Sequence, residues 1–227
     1  MTGPFSKYQI ATFLAILFHA IGLTGILFFD RNFFIHSTPF NLLLMFVLLL
    51  WTQVKANSWF WIFLAACFIT GVAVEMIGVN TGLLFGDYKY GDVLGKQLKQ
   101  VPLLIGINWF IIIYCCGVSV HTLLMRIVQN MPAANGGSAT LKVLAVIVDG
   151  ATLAVFFDWL MEPVAVKLDY WHWNGPIPVY NYICWFFVSV LLLLVFQVCK
   201  FEKRNKFAVN LLLIQVMFFL VLRTFMN

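Results

Sequence analysis

Seven stretches of nearly pure hydrocarbon divide the chain, at approximately 8–29, 39–54, 58–79, 102–125, 141–166, 179–199 and 207–225. A helix needs roughly 20 apolar residues to cross the hydrocarbon core of a bilayer. Most of the seven reach that length, and the second is the shortest. Lipid offers the backbone no hydrogen-bond partners, so such segments are confined to structures that satisfy themselves, here helices. Composition points the same way: 63% of the 227 residues are apolar and 10% charged, whereas soluble domains sit near 45–50% and 25%. The expected fold is all-α: a polytopic integral membrane helical bundle of about seven transmembrane helices. One integral membrane domain is expected to occupy residues 1–227, with no separate soluble domain.

Loop charges give a weak orientation. With the N-terminus on side one, that side holds Lys7, Lys55, Arg126, Lys142, Lys200, Lys203, Arg204 and Lys206. Side two holds Arg31, Lys89, Lys96, Lys99, Lys167 and Arg223. The excess leans toward a cytoplasmic N-terminus. The net charge of +5 is concentrated around Lys200–Lys206 and reads as a cytoplasmic anchor, not as a nucleic-acid surface. Trp51, Trp59, Trp61, Trp171, Trp173 and Trp185 lie near segment ends, where aromatic belts belong. The first segment has no small-residue cleavage site and reads as a retained span. Met131–Ala139 reads as a flexible connector on side one.

Three acids interrupt the hydrocarbon: Glu75, Asp158 and Glu162. A charge at mid-membrane depth costs about 2.5–3.5 kcal/mol on insertion scales, so such residues face a partner, a cavity or a substrate. Asp158 and Glu162 are four apart and share one helix face. Asp149, nine residues earlier, points to the opposite side. Pro163 removes a backbone hydrogen bond beside Glu162. A competing reading makes the acids a polar interhelical clamp.

Two side-two loops flank them. Asn80–Gly95 is rich in Gly and carries Tyr88 and Tyr90, which point the same way in an extended stretch. Asp169–Pro178 is dense in Trp, Gly and Pro. The two loops are expected to meet over Glu75 and Glu162 as a substrate mouth. Acid, base and aromatic faces together suit protonation of an alkene and capture of the resulting cation.

Other chemistries fit poorly. Cys67, Cys115, Cys116, Cys184 and Cys199 form no CxxC pair. His19, His36, His121 and His172 form no metal-ligand motif, so no metal site is expected. P-loop, GxGxxG and GxSxG patterns are absent. The last segment lacks a mid-helix Lys for a retinal Schiff base.

The acids and loops form two blocks. The first is Glu75-x-x-Gly78-x-x-Thr81-Gly82-x-x-Phe85-Gly86-x-Tyr88-x-Tyr90, followed by Leu94-Gly95, Val101-Pro102 and Trp109. The second is Asp158-x-x-x-Glu162-Pro163-Val164-Ala165, Trp171-x-Trp173, Gly175-Pro176-Ile177-Pro178, Asn181 and Trp185. Together, over roughly 70–186, they resemble the membrane carotenoid-biosynthesis protein family, which includes carotenoid 1,2-hydratases. Many members carry Asp where this chain has Glu162.

The resemblance implies addition of water to the terminal C1=C2 double bond of an acyclic carotenoid end group. The product is a 1-hydroxy carotenoid, and no cofactor is required. The expected catalytic residues are Asp158, Glu162 and Glu75. The expected substrate-binding residues are Tyr88, Tyr90, Trp109, Trp159, Trp171, Trp173, Asn181 and Trp185. The implied partners are an acyclic carotenoid or similar isoprenoid, membrane lipid and other carotenoid enzymes. The implied location is a prokaryotic inner membrane. The rivals are a lycopene or terpenoid cyclase, which must exclude water, and a non-catalytic carotenoid or lipid carrier. Small residues at Gly71, Gly78, Gly106 and Gly117 suggest a tunnel walled by the third to sixth segments.

Overall fold

The computed structural model describes residues 6–129 and 139–226. The connector expected at 131–139 lies outside them, except for Ala139. The described helices are α1 (Lys7–Phe28), α2 (Arg31–His36), α3 (Thr38–Thr52), α4 (Ser58–Thr81), α5 (Leu104–Gln129), α6 (Ala139–Lys167), α7 (Val179–Val198) and α8 (Lys206–Phe225). Six of them are long and apolar enough to cross a membrane. The second expected span is α3, with only 15 residues, about 22 Å at 1.5 Å per residue. The chain is an all-α polytopic membrane bundle, and the described residues include four short strands.

Local sequence sets the helix ends. Ser6 and Gln9 form a capping box at the start of α1. Asn57 accepts from the Phe60 amide at the start of α4, and Asn205 accepts from the amides of Phe207 and Ala208 at the start of α8. Such side chains satisfy amide groups that the first helical turn leaves free. At the far end of α4, Gly82 adopts φ 68 and closes the helix by bonding its amide to the Gly78 carbonyl, a left-handed cap that a Cβ disfavours.

Helix α5 lies at the centre. Its residues from Trp109 to Val118 are all buried, and α4, α6, α7, α8 and α3 surround it. The outer faces of the surrounding helices are apolar and exposed, among them Phe13, Ile69 and Phe187, as lipid-facing surfaces require. On side one, Gln53 accepts from the Tyr114 hydroxyl, Asn205 donates to Tyr114 and Thr52 at 3.2 Å, and Phe60, Phe63, Phe110, Phe196 and Phe201 pack around them. That end is closed by polar bonds and rings. The five cysteines are free and buried.

On side two, β1 (Tyr88–Tyr90) pairs antiparallel with β4 (Trp171–Trp173), and β2 (Gln97–Leu98) pairs with β3 (Val101–Pro102). The β1–β4 register sets Tyr88 opposite Trp173 and Tyr90 opposite Trp171. The two loops therefore meet as one ribbon across the ends of α4 and α6. Period-two alternation turns Tyr88, Tyr90, Trp171 and Trp173 toward the bundle, while Lys89 and His172 face outward.

Candidate active site

The three acids converge beneath this ribbon. They are among the most deeply buried polar residues of the chain: Asp158 is 0%, Glu162 3% and Glu75 5% exposed. Together with Tyr88, Tyr90, Trp109, Trp171, Trp173, Asn181 and Trp185 they line a cavity.

Glu75 belongs to the buried stripe of α4 that includes Cys67, Gly71 and Gly78. Its Oε2 accepts from the Tyr88 hydroxyl and from the Tyr90 hydroxyl at 2.8 Å. Its Oε1 accepts from Trp109 Nε1 at 3.0 Å. Three donors on two oxygens suit a fixed negative charge. Two glycines make room for them. A Cβ at Gly71 would stand 2.7 Å from the Trp109 side chain, and one at Gly78 would stand 2.8 Å from the Tyr88 hydroxyl. Burial, and then the neighbouring Glu75 charge, hold the Tyr88 phenol far above its usual value, so it remains a donor.

Glu162 is held from the ribbon. Its Oε2 accepts from Trp171 Nε1 and Trp173 Nε1, each at 2.9 Å. Asn181, near the start of α7, joins it to Asp158. The Asn181 amide donates to Asp158 Oδ2 at 2.8 Å and to Glu162 Oε1 at 3.3 Å. The remaining oxygen, Asp158 Oδ1, is buried without a hydrogen-bond partner among the described residues. It is the one uncommitted carboxyl oxygen of the three acids.

Aromatic faces complete the walls. Trp109 stacks on Trp185 with centroids 4.0 Å apart, and Tyr88 lies against Trp173 at 5.0 Å. Such faces stabilise a neighbouring cation in a site shielded from water.

Trp159 lies away from the cavity. It stands next to Asp158 in sequence, but one residue is 100° around a helix. It is 45% exposed on the outside of α6, under the Arg223 guanidinium, which lies 3.9 Å from its ring centroid. It does not line the cavity. Asp149 is exposed as well. Phe85 of the first block lines the cavity, as do Ile105, Asn108 and Met161, and these last three were not singled out from sequence. Of these, Asn108 left a signal: an amide in an apolar helix one position before Trp109. Among the described residues, no cluster of His, Cys, Asp and Glu could hold a metal ion.

The fold and site define a polytopic membrane protein with a buried tricarboxyl, aromatic-walled chamber. The chain belongs to the carotenoid biosynthesis protein family, whose sequence profile matches residues 37–227. That match reaches α3 and α8, beyond the motif-bearing stretch. The chain is also similar to the bisanhydrobacterioruberin hydratase of Haloarcula japonica, with 26% identity over 139 residues, which cover 59% of this chain and 43% of that protein. The matched region thus spans less than half the length of this curated relative. No solved structure matches the chain.

Proposed function

We propose that this chain is a carotenoid hydratase that adds water across the terminal C1=C2 double bond of an acyclic carotenoid end group. The observation that carries the reading is the buried, unpartnered Oδ1 of Asp158, a residue that lines a cavity walled by indoles and stands with two firmly held carboxyls. Family membership and the similarity to a named hydratase support it.

In this mechanism Asp158 begins protonated and Glu162 ionised, a division of roles suited to two adjoining acids. The proton on Asp158 passes to C2, forming a C–H bond with the alkene's electron pair. C1 becomes a tertiary cation, stabilised by the Glu75 charge and by the faces of Trp109, Trp185, Tyr88 and Trp173. A water oxygen then bonds to C1. Glu162, oriented by Trp171, Trp173 and Asn181, takes the proton that the water loses. Return of that proton to Asp158 resets the site. One water is consumed, and nothing is oxidised or reduced.

The ribbon covers the carboxyl end, where it can regulate water access. The excess of loop charge on side one supports a cytoplasmic N-terminus. Expression in a host that accumulates acyclic carotenoid tests the reaction. Hydration raises the pigment's mass by one water, and Asp158→Asn and Glu162→Gln abolish the gain. A cyclised product or a bound pigment of unchanged mass refutes hydration and selects the cyclase or the carrier.

A further inference from the structure

Hydration asks two things of a buried site: a proton donor and a place that holds one water. Most polar groups on the wall of the carboxyl cavity are committed to each other. Glu75 accepts from Tyr88, Tyr90 and Trp109. Glu162 accepts from Trp171 and Trp173, and the Asn181 amide spans Asp158 and Glu162. Two neutral polar side chains on this wall, Trp185 and Asn108, make no hydrogen bond among the described residues. The Trp185 indole only donates, and its ring is stacked on Trp109. The Asn108 amide both donates and accepts, which is what fixing the orientation of a water takes.

Asn108 also stands at a junction. It lines both the carboxyl cavity and an adjoining void, as does Ile105, three residues earlier on the same face of α5. Residues of α1, α3 and α8 help to wall that void, whereas the sequence suggested walls from the third to sixth segments. The void is not uniformly apolar. Gln215 on α8, 8% exposed, and Asn41 on α3 both line it. Neither Gln215 Oε1 nor Asn41 Oδ1 has a hydrogen-bond partner among the described residues. His19 joins them from α1. Its Nδ1 donates to the Ala15 carbonyl at 2.8 Å, which leaves Nε2 as an acceptor in the neutral ring. Buried acceptors are rarely left unpaired, and a buried water takes about two to four polar partners. These acceptors suit waters, and Asn108 is the amide at which such waters meet the acids.

We propose that Asn108 binds and aims the water that attacks C1. Asp158 then delivers the proton, and Asn108 holds the water that Glu162 deprotonates. This role rests on the hydratase reading of the site. In the step it serves, a lone pair of the water oxygen forms the C–O bond to the C1 cation. The proton that the water loses passes to Glu162, and its bonding pair stays on oxygen. Without a held water the cation has a second exit: C2 returns a proton to the Asp158 carboxylate, and the alkene re-forms. Replacing Asn108 therefore changes where the cation goes and not whether it forms.

Deuterium oxide separates the two exits. Asp158 exchanges its proton with solvent and delivers a deuteron to C2. Capture by water gives a hydrated product, whereas loss of the original C2 hydrogen returns the alkene with deuterium in its place. Purified protein is incubated with an acyclic carotenoid in deuterium oxide, and mass spectrometry reads both the product and the recovered substrate. In Asn108→Leu, hydration falls about tenfold, the worth of one hydrogen bond, while the recovered alkene gains deuterium faster than with the wild type. Asn108→Ala does the same, and Asn108→Ser, which keeps a group that donates and accepts, restores part of the hydration. Undiminished hydration by Asn108→Leu overturns the proposal. So does loss of hydration and exchange in equal proportion, or failure of both the leucine and the alanine variants to fold, the results expected of a packing role. Asp158→Asn loses exchange and hydration together. A wild type that hydrates nothing refutes the function itself, whereas a hydrating wild type matched by Asn108→Leu refutes only the role of Asn108.

Discussion

Gly78→Ala tests how the fold shapes the site without touching an acid. The added Cβ would lie 2.8 Å from the Tyr88 hydroxyl, 3.0 Å from the Leu84 carbonyl oxygen and 3.1 Å from Phe85 Cδ2. The backbone carbonyl yields little, so the Tyr88 ring must move by several tenths of an ångström. That movement pulls its hydroxyl off Glu75. A hydrogen bond to a buried charge is worth about 1.5–3 kcal/mol, and overpacking costs about 1–3 kcal/mol. Tyr88→Phe removes the same bond without crowding. Each variant should lower the melting temperature by roughly 3–10 °C for a chain of this size. The double variant should lose clearly less than the sum, with a coupling of at least about 1 kcal/mol, because phenylalanine has no hydroxyl for the added methyl group to displace. Thermal unfolding of the four purified proteins completes the cycle. Strictly additive losses would refute the claim that Gly78 acts through Tyr88.

Asn181→Leu deprives Asp158 and Glu162 of their shared donor, and conversion should fall by about 10–100-fold, matching the loss of 1.5–3 kcal/mol; pigment chromatography reads it, and near-normal conversion contradicts the bridging role. Tyr88 has a folded-state value raised above its ordinary 10.0 by burial and then by Glu75, so the folded protein holds that proton more tightly than the unfolded chain. Its contribution is complete below pH 10 and is lost as pH rises beyond it; melting temperatures should fall above that pH, and less steeply in Tyr88→Phe, whereas equal slopes would contradict the assignment. Trp159→Leu should leave conversion within about twofold, as expected for a surface position; a large loss would return Trp159 to the site.

The helices are legible because apolar segments in lipid have one structural solution, and the expected segment ends lie within a few residues of the observed ones. The acids are legible for the same reason: a carboxyl in hydrocarbon demands an explanation. The two-residue spacing of Tyr88 and Tyr90 puts them on one face, and the structure turns both onto Glu75. The ribbon is less accessible. β1 and β4 lie far apart in sequence, and their register depends on how α4 and α6 end together. Trp159 misleads because adjacency to Asp158 is not proximity on a helix. Gly106 reads from structure as a packing residue, since a Cβ there would meet the Phe68 ring at 2.6 Å. His19, Asn41 and Gln215 belong to no motif, yet each is a polar side chain in an apolar helix, the same signal that discloses the acids.

Turnover of an acyclic carotenoid by purified protein in heavy-oxygen water tests the central claim most directly. The account predicts a product with one heavy oxygen for each new tertiary hydroxyl, and none from Asp158→Asn. A product of unchanged mass, a hydroxyl without the label, or undiminished turnover by Asp158→Asn would contradict it.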